Sequence, residues 1–95
     1  MKIKNIRILE KKWTLLIIKT LLEKDKSFSM MRKEIFGISD KILSQRLLEM
    51  KEAEILKRYV YTDIPIKVEY GLTAKGKNLK KAVSELALWS NTYME

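Results

Sequence analysis

The 95-residue sequence predicts a mainly α fold of the α+β class, with helices set around one two-stranded hairpin. Three observations carry that prediction. Residues 37–58 open with Gly37 and Ser39, a turn former and an N-cap, and continue as a run with helical spacing. A shorter helix-like segment, from Ser29 to Ile35, lies directly upstream across a tight turn. Downstream, β-forming residues flank Pro65. Helix, turn, helix, hairpin is the order of a winged helix-turn-helix.

The segment after Ser39 organises the rest. At about 100° per residue, Leu43, Leu47, Met50 and Glu54 fall near one line, and Lys41, Gln45, Leu48 and Glu52 point the other way. That gives a core face and an outer face. Lys41, Ser44 and Gln45 cluster toward the N-terminal half, the end a recognition helix places in the major groove, so they are the candidate base-contacting residues. Polar residues on an outer face are by themselves ordinary solvated positions. The flanking helix and hairpin are what favour the recognition-helix reading.

In chain order, residues 1–12 alternate basic and apolar. Ile3, Ile6 and Ile8 or Leu9 fit a helical stripe or a short strand, on an arm whose lysines either touch DNA or keep it soluble. Residues 13–23 read as a helix with Trp13, Leu16, Ile17 and Thr20 or Leu21 inward and Lys19 and Lys24 outward. Residues 25–27 break it. Ser27 or Ser29 then caps the next helix, with Phe28 as a staple at its entry and Gly37 as its close. Residues 55–62 and 67–72 read as strands, with Pro65 at the turn because it donates no ladder hydrogen bond. Thr73 caps a last helix over residues 74–93, carrying Leu79, Val83, Leu86, Leu88 and Trp89. At about 20 residues, or roughly 30 Å, it is long for a domain of this size. Its apolar surface either packs on Trp13 and Leu16 or meets a second copy. The second option is favoured, with Leu86, Trp89 and Tyr93 as dimerisation residues.

Composition narrows the function. One domain, residues 1–95, is all that this length supports. Cysteine and histidine are absent, which excludes disulfides, thiol chemistry, His-based triads and most zinc sites. No constellation of carboxylates, Ser and Lys suggests an enzyme, and neither a metal nor a cofactor is expected. Twenty Lys and Arg against 12 Asp and Glu give a net charge of +8, suited to phosphate backbones. The surplus sits in residues 1–38, with ten basic and four acidic side chains; residues 39–62 and 63–95 each carry five and four. No apolar run approaches the ~20 residues needed to span a bilayer, and no signal peptide is legible, so a cytoplasmic protein is expected. Arg32, Lys33, Arg46, Arg58 and Lys67 are the candidate phosphate contacts.

Several segments in order resemble the HxlR-type winged helix-turn-helix regulators: Lys12-Trp13-Thr14-Leu15-Leu16-Ile17; Phe28-Ser29 through Arg32; Gly37-Ile38-Ser39; Lys41, Leu43, Gln45-Arg46-Leu47 and Glu49. Above all, Tyr61 and the run Val68-Glu69-Tyr70-Gly71-Leu72-Thr73 with Gly76 carry the likeness. It spans about residues 12–90. The resemblance implies a dimeric DNA-binding regulator, joined through its terminal helices, on an inverted-repeat site. Two departures stand out. Members that sense thiol-reactive stress use an N-terminal Cys, absent here, and Glu54 holds the place where the family usually has Gly. A left-handed C-cap there costs a non-glycine residue about a kcal/mol or more, so the helix is expected to end differently or run on a residue.

The leading expectation is therefore a homodimeric, sequence-specific regulator of transcription bound to double-stranded DNA. A winged helix used as a protein-interaction module, favoured by the outward Leu48, and a sequence-independent chromatin-type DNA binder are the alternatives.

Overall fold

The apolar spacing of the chain produces helices α1 (Arg7–Glu10), α2 (Thr14–Glu23), α3 (Phe28–Glu34) and α4 (Asp40–Glu52), strands β1 (Leu56–Tyr61) and β2 (Lys67–Leu72), and helices α5 (Ala74–Lys77) and α6 (Lys80–Tyr93). The computed structural model describes residues 7–94. The Ile3 and Ile6 stripe expected on the N-terminal arm lies outside them.

Helix α2 starts one residue later than the sequence suggested. Trp13 precedes it in the left-handed region, at φ 83°. Within the helix Thr14, Ile17, Ile18 and Leu21, spaced i, i+3, i+4 and i+7, are buried, while Leu16 is exposed. Trp13 is half-buried instead of sitting on the helical core face. Ser27, and not Ser29, caps α3 by accepting from the Met30 N–H at 3.2 Å, and Phe28 packs against the core. Ile35 and Ile38 anchor the following turn in the core, and between them Gly37 takes φ +90°, a conformation only glycine adopts without strain.

Ser39 caps α4, accepting from the Ile42 N–H at 3.1 Å. Leu43, Leu47 and Met50 are buried as their spacing required. Glu54 does not share that face. The helix ends at Glu52, and the Ile55 N–H bonds the Met50 carbonyl at 2.9 Å while the Glu54 N–H bonds the Lys51 carbonyl at 3.0 Å. This is a Schellman cap, with buried Ile55 meeting buried Met50. Glu54 holds its left-handed position at φ 61°, so the expectation that a glutamate would force another ending is corrected.

Strands β1 and β2 pair antiparallel from Leu56↔Leu72 to Tyr61↔Lys67. A third, one-residue strand forms where Lys26 and Tyr70 exchange backbone hydrogen bonds of 3.0 and 2.8 Å. Lys26 is also buried, its ammonium 2.5 Å from Glu23 Oε1 and 2.7 Å from Glu34 Oε1. The single helix expected over residues 74–93 is divided at Asn78 and Leu79, both still in the right-handed region. Gly76 lies against the Ile55 carbonyl, where a Cβ would sit 2.2 Å from its oxygen, so α5 is pinned to the start of β1. The 14 residues of α6 span about 21 Å. Only Val83 of α6 is buried, and Leu86, Leu88, Trp89 and Tyr93 are exposed. Packing of that surface on Trp13 and Leu16 within one subunit is therefore not what the chain does. No helix among the described residues is long and apolar enough to cross a membrane.

Candidate nucleic-acid interface

Burial of Leu43, Leu47 and Met50 turns the opposite face of α4 outward, and Lys41, Ser44, Gln45 and Leu48 all lie exposed on it. Rigid placement of that face comes from both flanks. On the α3 side, Arg32 pairs through Nε with Asp40 in the first turn of α4, and its Nη1 donates to the Ile38 carbonyl at 2.8 Å. Asp40 near a helix N-terminus is also favoured by the helix dipole. Lys33, next to Arg32, stays exposed.

The other flank is a clamp that runs back to the residues before α2. Arg46 donates from Nε to the Lys12 carbonyl at 2.9 Å and from Nη1 to Glu49 Oε1 at 3.1 Å. Lys11 closes it, its ammonium 2.5 Å from Glu49 Oε2. The Lys11 hydrogen bond holds the Glu49 carboxyl below the usual carboxylate range; partial desolvation opposes this and Arg46 adds to it. Trp13 reaches the same region, its ring edge within 3.6 Å of where a Gly37 Cβ would stand. Residues 11–13 thus touch both the turn and the outward helix. Sequence reading placed Arg46 near the flank of the site but missed the clamp, because its partners are 34 and 38 positions away. The Arg46 and Glu49 pair at i, i+3 was the one local signal.

The hairpin carries the two remaining basic candidates on opposite faces. Residues directly opposite in an antiparallel pair share a face, so Arg58 lies with Tyr70, Val60 and Val68, and Lys67 lies with Tyr61, Tyr59 and Glu69. The Lys67 ammonium sits 3.4 Å from Glu69 Oε2 and 6.0 Å from the Tyr61 ring centre, with its side chain largely in solvent. Leu86, Trp89 and Tyr93 form a separate exposed stripe on α6, with the Trp89 and Tyr93 rings 5.6 Å apart.

A family model described as HxlR-like helix-turn-helix matches residues 8–95. The chain belongs to the HxlR-like helix-turn-helix family. YodB, an HTH-type transcriptional regulator of Bacillus subtilis (strain 168), is 38% identical over 88 residues, 93% of this chain and 79% of YodB. YvaP of the same organism, an uncharacterized HTH-type transcriptional regulator, is 34% identical over 92 residues, 97% of this chain and 85% of YvaP. The structure of reduced YodB matches with a TM-score of 0.84 at 37% identity, covering 95% of this chain and 88% of YodB. The redox regulator HypR in its oxidized form matches at 0.89 and 27% identity, covering 95% of this chain and 93% of HypR. As an HxlR-like protein the chain is a DNA-binding transcriptional regulator of the helix-turn-helix type. It has no cysteine, so thiol or disulfide switching is not open to it.

Proposed function

We propose that this HxlR-like regulator binds an inverted-repeat operator as a homodimer, reading bases with Lys41, Ser44 and Gln45. The exposure of those three side chains on a helix fastened at both flanks is the observation that carries the reading. Gln45 offers a donor and an acceptor side by side, suited to the N6 and N7 edge of adenine; Lys41 suits guanine O6 and N7. Lys33, Arg58 and Lys67 are the phosphate contacts most open to solvent, Lys67 despite its pairing with Glu69. Arg32 and Arg46 are engaged within the subunit, so their part is to aim α4 while their remaining N–H edges meet phosphate.

Dimerisation rests on α6. Leu86, Trp89 and Tyr93 follow at i, i+3 and i+7, one stripe, and each is more than half exposed. Leu15 is exposed in line with Lys19 and Leu22, which border the seam between α2 and α6, and enlarges that surface. Two such faces related by a twofold axis bury one another and set two copies of α4 on successive half-sites. Trp89→Lys is expected to shift the sedimenting species from dimer to monomer at micromolar concentration and to weaken binding to a two-half-site duplex. A wild-type chain that sediments as a monomer under those conditions contradicts the proposal.

A further inference from the structure

The end of the hairpin has an unusual character for a DNA-facing element. Ile64 is 99% exposed and Ile66 72%, on either side of Pro65, and neither belongs to the core cluster nor to the residues packed on it. Tyr61, the last residue of β1, borders the same cleft as Ile64, Pro65 and Ile66 and continues the apolar surface on its face of the hairpin, while Val60 is exposed on the other face. Contiguous exposed apolar groups of this kind mark contact surfaces. Below them the hairpin turns basic, with Arg58 on one face and Lys67 on the other.

We infer that Ile64-Pro65-Ile66 is an apolar wedge that enters the minor groove and bends the operator at a flexible base step. The inference rests on the DNA-binding reading above and extends it from grip to deformation. Cations on both faces suit a ribbon that stands edge-on between two phosphate walls, and an apolar end then meets the base edges, where it can wedge into a step instead of hydrogen-bonding to it. A protein partner would not require that arrangement. Isoleucine and proline are among the side chains that unstack base steps from the minor groove. Asp63, also at the tip, works against phosphate approach. Apolar contact, not charge, therefore has to hold the tip in place. The wedge favours TA or CA/TG steps beneath it, which kink readily, so it reads sequence without hydrogen-bonding any base.

The test uses the full chain and an end-labelled duplex carrying a site selected from a random pool, with bending read by energy transfer between the ends. Wild-type protein is expected to bend the duplex by at least about 20°. Ile64→Ser/Ile66→Ser, which alters only solvent-exposed side chains, is expected to bind several-fold more weakly, to bend it little and to leave the salt slope unchanged. Lys67→Ala is expected to do the reverse, flattening the slope and keeping the bend. Replacing the flexible step under the tip with a stiff A-tract should weaken wild type and leave the double variant unaffected. A straight duplex under wild type, or an equal bend from the double variant, overturns the wedge while leaving DNA binding intact. A wild-type chain that binds no duplex at all overturns the DNA-binding reading itself.

Discussion

Glu54→Gly tests whether the handover from α4 to the hairpin is strained as its backbone implies. Glu54 sits at φ 61° in the Schellman cap. A left-handed conformation costs an L-residue roughly 1–2 kcal/mol, and a glycine introduced there gives back roughly 0.5–1 kcal/mol through its greater freedom in the unfolded chain. The net gain is then between about 0 and 1.5 kcal/mol, with a midpoint of about 0.75 kcal/mol. For a domain of this size each kcal/mol moves Tm by about 4–8 °C, so a rise of about 3–6 °C is expected at that midpoint. Glu54 also lines a cleft of about 520 Å³ together with Lys51, Lys57, Arg58 and Lys75, so the loss of its charge is a second effect to separate. Glu54→Gln isolates that effect, since it removes the charge and keeps the Cβ. Thermal and urea melts at one fixed protein concentration should show the glycine variant stabilised and the glutamine variant within about 0.5 kcal/mol of wild type. A glycine variant no more stable than wild type, or a glutamine variant stabilised equally, would refute the strain argument.

Lys26 should prove to be held by packing as much as by charge. Glu23 and Glu34 are 68% and 40% exposed and can turn to water, so Lys26→Met is expected to cost under about 1.5 kcal/mol, while Lys26→Ala, which leaves a void, costs about 2 kcal/mol or more. Equal losses in urea melts would make the ion pairs the larger contribution. Stability against pH should be a plateau with two edges. Hydrogen bonds from Lys26 and Lys11 hold the Glu23 and Glu49 carboxyls below 4.5, so what they contribute is present above that pH and lost as pH falls through their lowered values. Burial alone would depress the Lys26 amine, but its bonds to Glu23 and Glu34 outweigh this and raise it above 10.5, so its contribution is lost only as pH climbs past that value. With no histidine in the chain, a stability change centred between about pH 6 and 8 would contradict this account. Finally, diamide or brief peroxide treatment should leave DNA affinity unchanged, because no thiol is present to oxidise. Rapid loss reversed by dithiothreitol would be incompatible with that.

The parts legible in the sequence were those set by local chemistry. Ser39 declared the start of α4, Leu43, Leu47 and Met50 its inner face, and the β-formers around Pro65 the hairpin. The parts that were not depend on partners far along the chain. Lys26 sits in a stretch that reads as a helix breaker, and nothing local says that Glu34 and Tyr70 will bury it and make it a strand. Trp13 has the composition of a helical core residue, but the left-handed turn before Thr14 moves it off that face. The break between α5 and α6 was not legible either, and the close approach of Gly76 to the Ile55 carbonyl exists only once the chain has folded. At the candidate site, the outward residues were readable from helical angle alone. The clamp from Lys11 and Lys12 to Arg46 and Glu49 was not, since it exists only once the residues before α2 meet α4.

Selection of binding sites from a random DNA pool, run in parallel with wild type, Gln45→Ala and Lys67→Ala, tests the central claim most directly. A base-reading Gln45 contributes about 1–3 kcal/mol of discrimination, so Gln45→Ala should lose preference at one symmetric pair of positions in an inverted repeat, with its salt slope nearly unchanged. Lys67→Ala should keep the wild-type consensus and bind selected and random duplexes equally more weakly, with a slope flatter by about one unit per lost contact. A consensus unchanged by Gln45→Ala, or no consensus for wild type, would contradict the claim that the outer face of α4 reads DNA sequence.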